Sequence, residues 1–138
     1  MPSNSQSQYK TYSSLKPEEK QHIRPCMEIQ DMKHRRKIIT ENYIVCIDLN
    51  AEWCGPCKEI SPAFAKLAEK YNMTGKCMLV KENIDLKLTT DYDVQGVPAF
   101  IFYRGGQLLK NQDGKTVDVV GGDLKTVEEI VEKLLAQG

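Results

Sequence analysis

Two cysteines, Cys54 and Cys57, stand three residues apart in the stretch Ala51-Glu52-Trp53-Cys54-Gly55-Pro56-Cys57-Lys58. On a helix, residues at i and i+3 share one face, with Cβ atoms ~5–6 Å apart. A disulfide needs ~3.5–4.5 Å between them, so a small adjustment at a helix end opens or closes the bond. Cys54 falls where an apolar strand gives way to a helix. Its sulfur is expected to face unpaired N–H groups and the positive end of the helix dipole, which stabilise a thiolate. Such surroundings draw a thiol pKa below its ordinary ~8.5, in favour of the anion. Pro56 costs no hydrogen bond in a first helical turn and stiffens the loop. Cys57, one turn in, is expected to be more buried and less reactive. The spacing also admits packing cysteines, or half of a zinc site completed at irregular intervals by Cys26, Cys77, His22 or His34. However, no second C-x-x-C is present.

The elements that must position this pair can be read from periodicity. Ile44-Val45-Cys46-Ile47-Asp48-Leu49 has the near-continuous apolar character of a central strand covered on both faces. Asp48 is its anomaly. Desolvation of a carboxylate there predicts a pKa well above ~3.9. Cys57, Ile60, Phe64, Leu67 and Tyr71 then recur at helical spacing, with Pro62 expected to kink the helix. Cys77–Val80 predicts a second strand, followed by a short helix around Leu86–Tyr92. Pro98–Tyr103 predicts a third strand, closed by a turn at Gly105-Gly106. Thr116–Val120 is expected to return antiparallel to it after a long polar loop. Asp123 is a suitable N-cap for a last helix that buries Leu124, Val127, Ile130, Val131, Leu134 and Leu135. Glu129 and Lys133 form an i,i+4 pair on its other side. The pattern is an α/β sandwich around a mixed sheet.

Composition narrows the class. The 138 residues suit one domain, and 41% hydrophobic with 28% charged residues is ordinary globular chemistry. The 19 basic residues balance 19 acidic ones, so no field of one sign is available for nucleic acid or an anionic membrane. No apolar run approaches the ~20 residues of a membrane span. Five cysteines, Cys26, Cys46, Cys54, Cys57 and Cys77, cannot all pair within one chain. One functional pair in a reducing, cytoplasmic compartment fits them best. The start of the chain lacks the apolar stretch of a signal peptide, although its first 16 residues are acid-free and Ser-rich, as in a transit peptide. Those residues read as a flexible tail, and the stretch 17–42 as highly charged. Within it, His34–Lys37 reads as a solvated helix face, or alternatively as a docking patch for an acidic partner.

The Trp53-Cys54-Gly55-Pro56-Cys57-Lys58 motif resembles the active-site signature of the thioredoxin family. The likeness runs from Ile44 to the C-terminus and is densest over Ile44–Gly106. It implies a thioredoxin fold, with a central mixed β-sheet flanked by helices on both faces. The expected division is a polar extension over residues 1–22 and a thioredoxin domain over residues 23–138. The resemblance implies a protein dithiol–disulfide oxidoreductase with Cys54 as nucleophile and Cys57 as resolving thiol, set around Gly55 and Pro56. By the same resemblance Asp48 is the general base, Lys81 modulates it, and Pro98 is a cis-proline. Trp53, Val97, Pro98 and Gly121 form the substrate contact, with Trp53 shielding the site. A monomer is expected, without metal or organic cofactor beyond the Cys54–Cys57 disulfide. Its expected partners are disulfide-containing proteins and a thioredoxin reductase or equivalent. The Gly-Pro dipeptide favours net reduction; a disulfide isomerase or oxidant, or a thioredoxin-fold binding subunit of a larger complex, are the other readings. Asn50, the long loop around Leu109–Lys115 and the N-terminal extension depart from the family pattern.

Overall fold

The computed structural model describes residues 26–88 and 96–137. The apolar run at its centre forms strand β1 (Ile44–Asn50), buried from its first residue through Leu49. Strand β2 (Cys77–Asn83) lies parallel on one side of it, and β3 (Ala99–Arg104) antiparallel on the other. Beyond β3 pair two short strands, β4 (Gln107–Leu108) and β5 (Asp118–Val120), both antiparallel to it. The outer edge of β2 is bordered by Met27–Ile29. There the Lys81 amide donates to the Met27 carbonyl (2.9 Å), and the Ile29 amide to the Lys81 carbonyl (2.8 Å).

Side chains alternate along the strands, and each face is closed by helices. Helices α2 (Gly55–Tyr71) and α3 (Leu124–Gln137) cover one face. Phe64, Ala68, Val127 and Val131 pack there on Ile44, Cys46, Leu79, Phe100 and Phe102. Helix α1 (Met32–Glu41) covers the other, setting Ile38 and Ile39 against Val45, Ile47, Val80 and Ile101. Each fully buried Ile, Leu, Val or Phe contributes roughly 1.5–3 kcal/mol of apolar burial. At the C-terminal end of α2 the buried Asn72 accepts from the Leu79 amide (2.6 Å) and donates to its carbonyl (3.2 Å), fixing the helix to β2.

Several expectations are refined. Strand β2 continues three residues past Val80, which puts Lys81 on the α2 face and buries Glu82 on the α1 face. Of the helix expected around Leu86–Tyr92, a 3-10 turn at Ile84–Leu86 is seen, ended by Lys87 at φ +52°. Residues 89–92 lie outside the described segments, as does the extension over residues 1–22. The return strand is split: β4 leaves the Gly105-Gly106 turn, an isolated bridge pairs Lys110 with Thr116, and β5 follows. Asn111 closes that loop by accepting from the amides of Asp113 (2.9 Å) and Lys115 (3.1 Å). Helix α2 runs as one element through Pro62. Asp123 caps α3 as expected, bonding the Thr126 amide and hydroxyl.

The charged stretch before β1 is corrected more sharply. It forms α1, capped by Asp31, whose Oδ1 accepts from the His34 amide (2.8 Å). Arg35, read as part of a solvated face, is 4% exposed. Its Nε donates to Glu82 Oε1 (3.0 Å) and its Nη2 to the Tyr103 hydroxyl. A guanidinium on its three-methylene stem can lie on the inner face of a charged helix when a carboxylate waits beneath it.

Candidate active site

The junction of β1 and α2 presents the two cysteines. After Asn50 the chain turns, the Cys54 amide donating to the Ala51 carbonyl (3.2 Å), and Cys54 becomes the N-cap of α2. Its sulfur accepts from the Cys57 amide (3.1 Å), so one orphan donor of the helix start is aimed at the thiol position. Pro56 occupies the first turn, where its missing N–H is not needed. Cys54 and Cys57 are joined in a disulfide with Cα atoms 5.3 Å apart.

The expected contrast in burial between the two is absent: Cys54 is 4% and Cys57 5% exposed. What separates them is what each faces. Cys54 holds the cap, whereas Cys57 lines a cleft of about 170 Å³ together with Asp48, Ser61, Lys81 and Glu28. Beneath the disulfide, Ala51, Cys54 and Cys57 form a small buried cluster packed by Ile84 and Val97. Gly55 and Pro56 are exposed at the top.

Asp48 points to the α2 side of the sheet, two residues on from Cys46. It is 2% exposed, and its Oδ1 has no hydrogen-bond partner. Burial pushes its carboxyl up to about 7, with Lys81 pulling the other way. This is the direction expected of a carboxylate in an apolar strand. Lys81 is its neighbour in the β1–β2 register, half-buried, with its ammonium donating to Ser61 Oγ. A cleft of this size has room for water beside Asp48 and Cys57.

The remaining expected residues surround the disulfide. The Val97–Pro98 peptide is cis, and Pro98 is buried at the start of β3. The Pro98 carbonyl accepts from the Gly121 amide (2.7 Å). Gly121 has φ +96°, a conformation that a side chain would strain. Its amide is therefore spent on the proline loop. Trp53, expected as a shield, is 69% exposed, so it is a surface residue next to the motif.

Three thiols lie apart from this pair. Cys46 and Cys77 are buried on the α2 face, and Cys26 is half-buried. Burial pushes Cys77 up to about 12, Cys26 to about 11 and Cys46 well above its ordinary value. Among the described residues no group of three or more His, Cys, Asp or Glu side chains is arranged to hold a metal. Residue reasoning missed Ser61 and Glu28 at the cleft. Ser61 did carry a signal, since at i+4 from Cys57 it must share that face of α2.

Comparison with known proteins agrees with the geometry. The thioredoxin family model matches residues 25–126. Thioredoxin-T of Drosophila melanogaster is 36% identical over 83 residues, 59% of this chain and 52% of its own length. The chain thus spans about half of that relative. Thioredoxin of Coprinus comatus is 32% identical over 112 residues, covering 78% of this chain and 96% of that protein. The crystal structure of reduced Schistosoma mansoni thioredoxin pre-protein superposes with a TM-score of 0.65 at 30% identity, over 80% of this chain and 99% of that one. The chain belongs to the thioredoxin family. Among the described residues no helix is long and apolar enough to cross a membrane.

Proposed function

We propose that the chain is a dithiol reductant of protein disulfides. One observation carries this reading. The Cys54–Cys57 pair caps a helix N-terminus, and Cys57 shares a cleft of about 170 Å³ with the buried Asp48 carboxyl, whose Oδ1 is unpartnered. In the reduced protein the Cys54 thiolate attacks one sulfur of the substrate disulfide. A Cys54–substrate disulfide forms and the other substrate sulfur leaves as a thiolate. Cys57 passes its proton through a water to Asp48, and its thiolate attacks the Cys54 sulfur. The Cys54–Cys57 bond forms, the second substrate sulfur leaves, and two electrons have passed to the substrate. Lys81 adjusts the proton affinity of Asp48.

Trp53, Val97 and Pro98 offer the substrate chain its contact surface, and Gly121 supports the proline loop from behind. Gly55 and Pro56 keep the turn between the thiols stiff, which suits net reduction. The cycle requires no metal or organic cofactor, only a two-electron donor such as a thioredoxin reductase. We assign the protein to the cytoplasm as a monomer.

Reduction of insulin with dithiothreitol as electron source tests the reading. The wild type should accelerate insulin precipitation and Cys54→Ser should not. On non-reducing gels Cys57→Ser should accumulate mixed disulfides that Cys54→Ser lacks. A reduction potential near ~−270 mV, the value of thioredoxins themselves, supports net reduction. One at ~−180 mV or above reassigns the protein as isomerase or oxidant. Undiminished cellular function of a Cys54→Ser, Cys57→Ser double variant would make it a binding subunit instead.

A further inference from the structure

Lys81 and Asp48 are register partners on adjacent parallel strands, with both side chains on the α2 face. A lysine so placed can reach a neighbouring carboxylate. Among the described residues no ion pair closes between them, and Asp48 Oδ1 is without a partner. The ammonium is turned toward α2, where Ser61 Oγ accepts its hydrogen bond. Ser61 lies one turn beyond Cys57 and lines the same cleft as Cys57, Asp48 and Lys81.

We propose that Ser61 is a positioning residue that holds the Lys81 ammonium on α2, leaving Asp48 unpaired and free to exchange a proton with Cys57. The inference rests on the reading of Asp48 as proton acceptor. A long lysine has two resting places here. On the hydroxyl of Ser61 its charge stays at the half-exposed rim of the cleft. On Asp48 it would bind the carboxylate form directly, and an opposite charge at that range makes a carboxylate a much weaker base. Other groups also face Asp48. Glu28 and Cys26 approach from the segment beside β2, and Glu52 from the turn before α2. Lys58 and Cys57 face it from α2, and Cys46 from β1. Glu28, Glu52 and Lys58 are solvent-exposed and screened. None of these groups is bonded to Ser61 among the described contacts, so replacing that hydroxyl releases Lys81 alone.

The test follows the Asp48 carboxyl by ¹³C NMR through a pH titration of the full, oxidised chain. Ser61→Ala should lower the Asp48 midpoint by about one pH unit or more as Lys81 swings across. Ser61→Thr, which keeps the hydroxyl, should titrate like the wild type. In a Lys81→Met background, Ser61→Ala should produce no further shift. The acid limb of the pH profile for disulfide reduction should move down with the midpoint in Ser61→Ala. An unchanged midpoint in Ser61→Ala, or a shift that persists without Lys81, overturns the proposal. If Ser61→Ala does not fold, Ser61→Val against its isostere Ser61→Thr carries the same two outcomes. The midpoint is read in the resting protein. Absence of disulfide reduction by the wild type would therefore overturn the proposed function and leave this comparison standing.

Discussion

Two buried carboxylates lie on the neighbouring strands β1 and β2 and on opposite faces of the sheet. Glu82, on the α1 face, is 1% exposed and accepts a charge-assisted bond from Arg35, which also donates to Tyr103. Asp48, on the α2 face, is 2% exposed and leaves Oδ1 without a partner beside a small cleft. Burying a charge is costly unless a partner satisfies it. At Glu82 a guanidinium and a phenol offset that cost and fix α1 to the sheet. At Asp48 no hydrogen bond reaches Oδ1 and Lys81 offsets the cost only in part, so its carboxyl stays raised to about 7. A satisfied buried charge is part of the framework; an unsatisfied one next to a thiol is the candidate reagent of the proposed function.

The largest expected effect breaks the satisfied side. Arg35→Ala removes the guanidinium bonded to the buried Glu82 and should cost about 3–5 kcal/mol of stability in urea unfolding at neutral pH. A loss below about 1 kcal/mol would mean that water or another side chain takes the place of Arg35 beside Glu82.

Asp48→Asn should act in the opposite direction. The folded-state pKa of about 7 lies above the ordinary 3.8, so the folded protein holds this proton more tightly than the unfolded chain does. The wild type therefore has its full stability below pH ~4, loses it as pH climbs toward 7, and stays level above that. Oxidised Asp48→Asn should lack this slope. It should be more stable than the wild type by roughly 2–4 kcal/mol at pH 8, with almost no difference at pH 4. Disulfide reduction at pH 7 should fall on the order of 10²-fold. A destabilised variant with wild-type turnover would make Asp48 a framework carboxylate like Glu82.

The thiols divide in the same way. In the reduced protein, brief iodoacetamide treatment at pH 7 followed by mass mapping should find Cys54 labelled at least ~10²-fold faster than Cys46 or Cys77. Burial raises both of these thiols and leaves almost no thiolate. First labelling at either would remove Cys54 from the nucleophile's role. The smallest effect sharpens the framework side: Tyr103→Phe deletes one acceptor of Arg35 and should cost about 1 kcal/mol without changing the pH dependence of reduction.

The helices and strands around the dithiol were legible because their signals are local. Cys57, Phe64 and Tyr71 recur at helical spacing, and their burial against the sheet follows from that period. The inner face of helix α1 was not, because Lys33, Arg35, Arg36 and Lys37 mask the two isoleucines that dock it. A charged residue inside a helix reads as solvent-facing until its partner is known. The burial contrast between Cys54 and Cys57 also failed, since the cluster of Ala51, Ile84 and Val97 encloses both sulfurs from below.

The amino-acid sequence by itself determined the redox pair, its seat at a strand–helix junction and the isolated carboxylate of β1. Each depends on residues within a turn or a single strand of one another. Only the tertiary structure decided which charges are satisfied. The partners of Arg35 lie 47 and 68 residues away, and Ser61 meets Lys81 across 20 residues and two elements. Whether a buried charge is framework or reagent depends on which side chain the folded sheet brings within hydrogen-bond reach.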